Sequence, residues 1–114
     1  MAKIDDDVKK IAKHIIKGNE ARKQRIKNKK YSAYDLMAVE IIDRSIRVLW
    51  PNVYCDTARK AMQEAVYQSI VNNTPWEHMG IISGRRQFYE ERNALICLVA
   101  AGMGMTPPEL RGSE

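Results

Sequence analysis

Apolar residues recur at the three- and four-residue spacing of an α-helix through most of this 114-residue chain. No segment alternates apolar and polar residues as a strand does. The breaks between the periodic segments contain residues that end helices, namely Gly18-Asn19, Trp50-Pro51-Asn52 and Asn72-Asn73-Thr74-Pro75. We therefore predict an all-α fold, a small helical bundle of about five helices with a C-terminal helix-turn-helix.

The chain length fits one domain with a modest core, and we divide it into three parts. Residues 1–30 are predicted to form a basic N-terminal helix and arm. Residues 31–105 form the helical core, with the helix-turn-helix at 74–102, and residues 106–114 form a flexible tail.

The first helix is predicted from about Ile4 to Lys17, with aspartates 5–7 at its positive end. Its apolar stripe comprises Ile4, Val8, Ile11, Ala12, Ile15 and Ile16. Residues 20–30 hold only two apolar side chains, Ala21 and Ile26. This second segment is therefore either an exposed continuation helix or a basic arm that orders on contact.

Positive charge is concentrated near the N-terminus, although the net charge of the whole chain is only +5. Ten lysines and arginines lie between Lys9 and Lys30, against one acid, Glu20. Such a segment attracts polyanions, and neutralising phosphates releases counterions, so binding would depend steeply on salt. The alternative is a solvated helix face that keeps the protein in solution. The run from Arg22 to Lys30 has too little apolar area for a membrane helix.

Two long helices are predicted in the core. The first spans Tyr31 to Trp50 with Ser32 as its cap, and we expect it to be the central helix, ended by a buried Trp50 before Pro51. Its predicted inner face is Tyr34, Met37, Ala38, Ile41, Ile42, Ser45, Ile46 and Leu49, and its wet side is Asp35, Glu40, Asp43, Arg44 and Arg47.

The second core helix runs to about Val71, with Asp56 or Thr57 as its cap. Its buried stripe is predicted to be Ala58, Met62, Ala65, Val66, Ser69 and Ile70. Thr74 and Pro75 then start a short helix. Cys55 and Cys97 are expected to be two buried thiols without a disulfide.

The stretch 72–105 reads as a short helix, a tight turn at Gly80–Gly84 and a long second helix capped by Ser83. Arg85, Arg86 and Gln87 fall in its first turn, where the macrodipole disfavours cations, which suggests an external partner. Arginine binds guanine, and glutamine binds adenine, through paired hydrogen bonds in the major groove. The alternative is an ordinary amphipathic helix with a solvated polar side. We expect Gly102 and Gly104 to fray the end of this helix.

The run from Ser83 to Leu95, preceded by Trp76-Glu77 and followed by a Met-rich helix end, resembles the C-terminal helix-turn-helix of sigma-factor region four. Among small proteins it resembles phage-encoded late transcription regulators of the RinA and ArpU type. The resemblance covers about a third of the chain and implies that Trp76 and Met79 anchor the first helix. It also implies that Arg85, Arg86, Gln87, Tyr89 and Glu90 face DNA. The interval from Thr74 to Ser83 is shorter than the sigma-like pattern, which predicts a stunted first helix.

The leading hypothesis is a sequence-specific DNA-binding transcriptional regulator of phage or prophage origin, acting in the cytoplasm of a bacterial host. Its partners would be double-stranded DNA and RNA polymerase. A homodimer would form through the stripe from Ile4 to Ile16 or through the end of the last helix. The predicted DNA-binding residues are Ser83, Arg85, Arg86, Gln87, Tyr89, Glu90, Arg92, Arg22, Lys23, Arg25, Lys27, Lys29 and Lys30.

A second hypothesis is a non-enzymatic helical adaptor, or an assembly or inhibitory protein, that binds an acidic protein partner. It predicts an exposed apolar groove around Trp76, Met79, Met103 and Met105. A nonspecific RNA binder is a third option. We expect no enzyme, cofactor or metal, because no phosphate loop or ligand motif occurs and adjacent Glu77 and His78 do not form a dyad. We also expect no membrane span or secretory signal.

Overall fold

The computed structural model of the protein describes residues 5–80 and 84–105. Within these ranges every regular element is helical, which confirms the predicted all-α class. The elements are α1 (Asp6–Lys17), α2 (Asn19–Lys27), α3 (Ala33–Arg47), α4 (Asp56–Asn72), a 3-10 turn (Trp76–His78) and α5 (Arg85–Gly102). None of these helices is both long and apolar enough to cross a bilayer. Ile4, Ser83 and the predicted tail at 106–114 lie outside the described residues.

Residues 19–27 form a helix, α2, that packs against α3, so the predicted basic arm is an ordered part of the fold. Gly18 separates α1 from α2 and donates its backbone N–H to the carbonyls of His14 and Ile15. The buried Arg22 guanidinium donates to the same Ile15 carbonyl and lies 5.7 Å from the ring centre of Tyr34. Arg22 therefore closes the end of α1, and its predicted role as a surface DNA contact is wrong.

The prediction that Ser32 caps α3 is confirmed. The Ser32 hydroxyl accepts the backbone N–H of Asp35 at 3.2 Å, and the Asp35 carboxylate accepts the backbone N–H of Ser32 at 3.1 Å. Asp35 was expected on the wet side but is only 6% exposed, whereas Tyr34 and Met37, expected inside, are each 46% exposed. The buried face of α3 differs from the predicted one because α2 covers the side that carries Asp35. The spacing of apolar residues does not reveal such a polar contact.

The central helix is α5 rather than α3, because α5 packs against α1, α3, α4 and the 3-10 turn. Phe88, Leu95 and Val99 are fully buried along it. Gly102 does not fray the end, since a Cβ there would lie 2.6 Å from a methyl carbon of Ile41. Gly104 adopts a φ of 75°, which a side chain would disfavour, and the backbone N–H of Met105 donates to the Ala100 carbonyl across this turn.

Trp50 is buried between α3 and α4, as predicted. Its indole N–H donates to the carbonyl of Met62 at 3.1 Å, and its backbone N–H donates to the carboxylate of Glu91 on α5.

The predicted cap of α4 is wrong. Cys55 occupies the N-cap position and forms no side-chain cap, while Asp56 is the first helical residue. Cys55 is also exposed, so only Cys97 is partly buried, and both thiols are free. On the predicted stripe of α4, Ala58 is exposed, whereas Ala65, Val66, Ser69 and Ile70 are buried.

Candidate nucleic-acid interface

The first helix of the predicted helix-turn-helix is a single 3-10 turn of three residues, Trp76–His78. Pro75 precedes this turn in an extended conformation, and the next glycine, Gly80, already has a positive φ of 63°. The sequence between them is too short for an α-helix that could pack across a second one. In the structure α5 begins at Arg85 with Gly84 at its N-cap, and the expected cap, Ser83, is outside the described residues.

The start of α5 projects from the bundle, as expected. We call Arg85, Arg86 and Gln87 the arginine tip; all three are exposed, and the Arg85 and Arg86 side chains are 69% and 94% accessible. Arg85 lies 3.7 Å from a carboxylate oxygen of Glu77, and Arg86 lies 3.2 Å from one of Glu90. Exposed pairs of this kind contribute little free energy, so either arginine can exchange its acid for a phosphate at small cost.

The next turn of α5 faces the protein more than solvent. The Tyr89 hydroxyl accepts the backbone N–H of Trp76 at 3.2 Å, and its ring meets that of Phe88 edge-on at 5.4 Å. Tyr89 therefore holds the 3-10 turn against α5. Arg92 is partly buried, and Glu90 is engaged with Arg86. Of the predicted contacts on α5, the arginine tip is the part that projects fully into solvent.

Two more predicted contacts in the basic segment are paired with the protein's own acids. Arg25 binds Asp35 through two hydrogen bonds, at 3.0 and 2.7 Å. Lys23 lies 3.8 Å from Glu20 and 4.0 Å from Asp43. The remaining predicted cations, Lys27, Lys29 and Lys30, are exposed near the end of α2, and none of them has an ion pair with another described residue.

A set of cations on α1 was missing from the predicted site. We call Lys9, Lys10, Lys13 and Lys17 the lysine face. Within residues 5–80 and 84–105 no carboxylate lies within 4.0 Å of any of these four ammonium groups. Lys9, Lys13 and Lys17 are four residues apart, which places them along one side of α1. That spacing was visible in the sequence and is the signal that could have identified them.

The lysine face is next to α5. Lys9 acts on the thiol of Cys97, where burial raises the pKa and the lysine opposes that rise. Burial lowers the pKa of Lys13, and the positive charge of Arg92 lowers it further. These pairings progress in opposite directions along the two helices, so α1 and α5 are antiparallel.

The apolar groove predicted around Trp76, Met79, Met103 and Met105 is absent there, since those four side chains are partly buried against the core. An open apolar pocket of about 240 Å³ lies instead between α3 and α5. It is lined by Ile41, Arg44, Ser45, Val48, Leu98 and Gly102. In the apolar stripe of α1, Ala12, Ile15 and Ile16 are buried in the core, whereas Ile11 is 51% exposed. Much of the predicted dimer seam is therefore used internally.

Among the described residues, no group of three or more His, Cys, Asp and Glu side chains is arranged to hold a metal ion. Comparison with protein-family models, with curated proteins and with solved structures found no match to this chain.

Proposed function

We propose that this protein binds double-stranded DNA and catalyses no reaction. The lysine face carries this proposal, because its four cations have no acidic partner in the described part of the chain. Arg25, by contrast, is paired with Asp35. Unpaired lysines along one helix are suited to phosphates spaced along a polyanion, and their neutralisation releases counterions.

In this proposal the arginine tip recognises the base sequence of the DNA. Arg85 and Arg86 are exposed, and arginine can donate two hydrogen bonds to guanine in the major groove. Because three helices cover the rest of α5, only its first turn can enter a groove. Most of the affinity would then come from phosphate contacts, and base discrimination would come from the tip.

Residues 83–95 resemble part of phage transcription regulators. On that ground we extend the proposal to the regulation of transcription, with RNA polymerase as a further partner. One helix tip reads few base pairs, so a second copy of the chain would be needed to specify a site. The buried stripe of α1 leaves the end of α5, beside the α3–α5 pocket, as the surface for that contact.

Fluorescence anisotropy with a library of labelled duplexes tests the proposal. We expect saturable binding, and we expect Arg85→Ala/Arg86→Ala to weaken it and reduce the difference between preferred and random duplexes. The matched control is Arg47→Gln/Lys60→Gln, which also removes two exposed cations, from α3 and α4. No binding to any duplex would reject the function. If Arg85→Ala/Arg86→Ala bound duplexes as wild type does, the proposal that α5 recognises the base sequence would be rejected.

A helical adaptor is the second candidate, and the α3–α5 pocket favours it. Val48 and Leu98 are exposed apolar side chains at that pocket, and Arg44 adds a cation to its lining. An amphipathic acidic helix fits this chemistry. Selection from a library of acidic helical peptides, repeated with Leu98→Glu, separates the two functions. The adaptor predicts peptide binding that the variant loses, whereas the DNA-binding function predicts that no acidic peptide is selected at this pocket.

A further inference from the structure

A second pocket, of about 180 Å³, lies between the end of α4 and the first half of α5. It is on the protein side of α5 rather than at the arginine tip. Polar and apolar groups contribute about equally to its wall, whereas the wall of the α3–α5 pocket is mostly apolar. It is lined by Ser69, Asn73, Thr74, Pro75, Tyr89 and Arg92.

Arg92 is the charged group of this pocket, and it lacks the partner that such a group normally has. Its Nε atom is buried and has no hydrogen-bond acceptor. No carboxylate in residues 5–80 and 84–105 lies within 4.0 Å of its guanidinium. A charged group whose donor is buried and unsatisfied is costly to the fold. Because the Arg92 side chain also lines the pocket, an anion bound there would offset its positive charge.

The surroundings of Arg92 add positive charge. Lys13 on α1 is close enough for the charge of Arg92 to lower its pKa, after the larger effect of burial. Burial also lowers the pKa of the Arg92 guanidinium itself. Among the charged groups acting on Lys13, only Asp6 is acidic, and its effect is the smallest. Two neighbouring cations with so little acid beside them favour an anion between or near them.

A structural role for Arg92 at the end of α4 is the main alternative, because a cation is favoured beside helix carbonyls. The turn at that end is held by other groups. The Ser69 carbonyl accepts the backbone N–H groups of Asn73 and Thr74, and the Ser69 hydroxyl donates to the Thr74 carbonyl. The turn after α4 therefore does not require the guanidinium as its cap.

We propose that the α4–α5 pocket binds a phosphate group, with the Arg92 guanidinium as its principal ligand. The Tyr89 hydroxyl accepts a hydrogen bond from Trp76, so its proton is available to donate to the anion. The Thr74 hydroxyl on the same wall is a second neutral donor. The phosphate is either free in solution or part of a polynucleotide backbone. The pocket does not depend on the proposed DNA-binding function.

Isothermal calorimetry and ¹H–¹⁵N NMR with inorganic phosphate, against chloride at matched ionic strength, test this site. We expect saturable binding with a shift of the Arg92 Nε–H resonance. Arg92→Gln should abolish the binding, and Lys60→Gln, an exposed cation on α4, should leave it unchanged. Thr74→Val keeps the backbone bonds of the turn and should weaken binding by about threefold to tenfold. The Thr74→Val variant tests the pocket if Arg92→Gln does not fold.

Binding of phosphate that is equal in wild type and Arg92→Gln, or no saturable binding by wild type, would overturn the proposal. If Arg92→Gln does not fold, equal binding by wild type and Thr74→Val would do the same. A competition experiment with labelled duplex distinguishes a backbone phosphate from a free phosphate. If inorganic phosphate at constant ionic strength competes with duplex, the pocket holds a backbone phosphate. If it does not compete, the pocket holds a free one. Phosphate binding without duplex binding would remove the proposed function and keep the pocket.

Discussion

Arg25 and Asp35 are joined by two hydrogen bonds, from Nε to Oδ2 at 3.0 Å and from Nη2 to Oδ1 at 2.7 Å, across the interface between α2 and α3. The same carboxylate accepts the backbone N–H of Ser32 and completes the cap of α3. One acid thus fixes both the start of a core helix and the position of the basic segment beside it.

This pair predicts acid sensitivity. The hydrogen bond from Arg25, and then the one from the Ser32 backbone, lower the pKa of Asp35 from 3.8 to about 2. Because the folded pKa is the lower one, the stabilisation is fully present above pH 3.8 and is lost as the pH falls toward 2. Urea unfolding at a series of pH values should show Asp35→Asn to be less stable than wild type at pH 7, with a smaller loss between pH 4 and 2.

Glu40→Gln is the control for this experiment, because Glu40 is an exposed acid on the same helix. It should retain the wild-type pH dependence. If Asp35→Asn lost as much stability on acidification as wild type does, the bond to Arg25 would not be the source of the acid sensitivity.

Arg22 and Lys23 are adjacent cations with different structural roles. Arg22→Met should lower the free energy of unfolding by about 2 kcal/mol, because the bond from its guanidinium to the end of α1 is lost. Lys23→Met should change it by less than about 0.5 kcal/mol, since its ion pairs are exposed. Chemical denaturation of the two variants measures the difference. Equal effects would show that Arg22 does not close α1.

Gly102 of α5 lies against Ile41 of α3. A methyl group there would be 2.6 Å from Ile41, so Gly102→Ala should cost about 1–3 kcal/mol through overpacking. Gly84→Ala, where an added Cβ meets open space, should change stability by less than about 1 kcal/mol. Thermal unfolding compares them. A neutral Gly102→Ala would mean that the two helices are less tightly packed than described.

Local sequence signals were enough to predict much of the fold. Helix periodicity and chain breaks gave α1, α3, α4 and α5 nearly in place, because caps and proline act within a few residues of themselves. Ser32 and Trp50 illustrate this, one as a cap and the other as a buried end of a helix. These effects depend on the neighbouring residues alone.

Tertiary contacts between polar residues were not predictable in the same way. Asn19 is fully buried and donates to the Tyr67 hydroxyl at 3.1 Å, although it was read only as a helix break. Asp35 and Arg22 were likewise placed on the surface. Each is buried by a partner that lies on another turn or another helix, and hydrophobic periodicity does not report such pairings.

The candidate site was predicted in part. Exposure of Arg85, Arg86 and Gln87 followed from their position at a helix start, and the structure agrees. Arg92 was grouped with them, but its direction depends on how α4 and α1 pack around α5. The lysine face belongs to the basic segment of the sequence. Only the structure shows that its lysines have no ion pair with a described acid, whereas Arg25 is paired with Asp35.

The salt dependence of duplex binding by Lys9→Gln/Lys17→Gln tests the central claim most directly. The logarithm of the binding constant, measured against the logarithm of salt concentration from about 50 to 200 mM, should have a slope smaller in magnitude by about 1.8 than that of wild type, because two phosphate contacts are lost. The control Arg47→Gln/Lys60→Gln, with the same change in net charge, should keep the wild-type slope. An unchanged slope for the lysine variant, or an equal reduction in the control, would contradict the assignment of the lysine face as the DNA-binding surface.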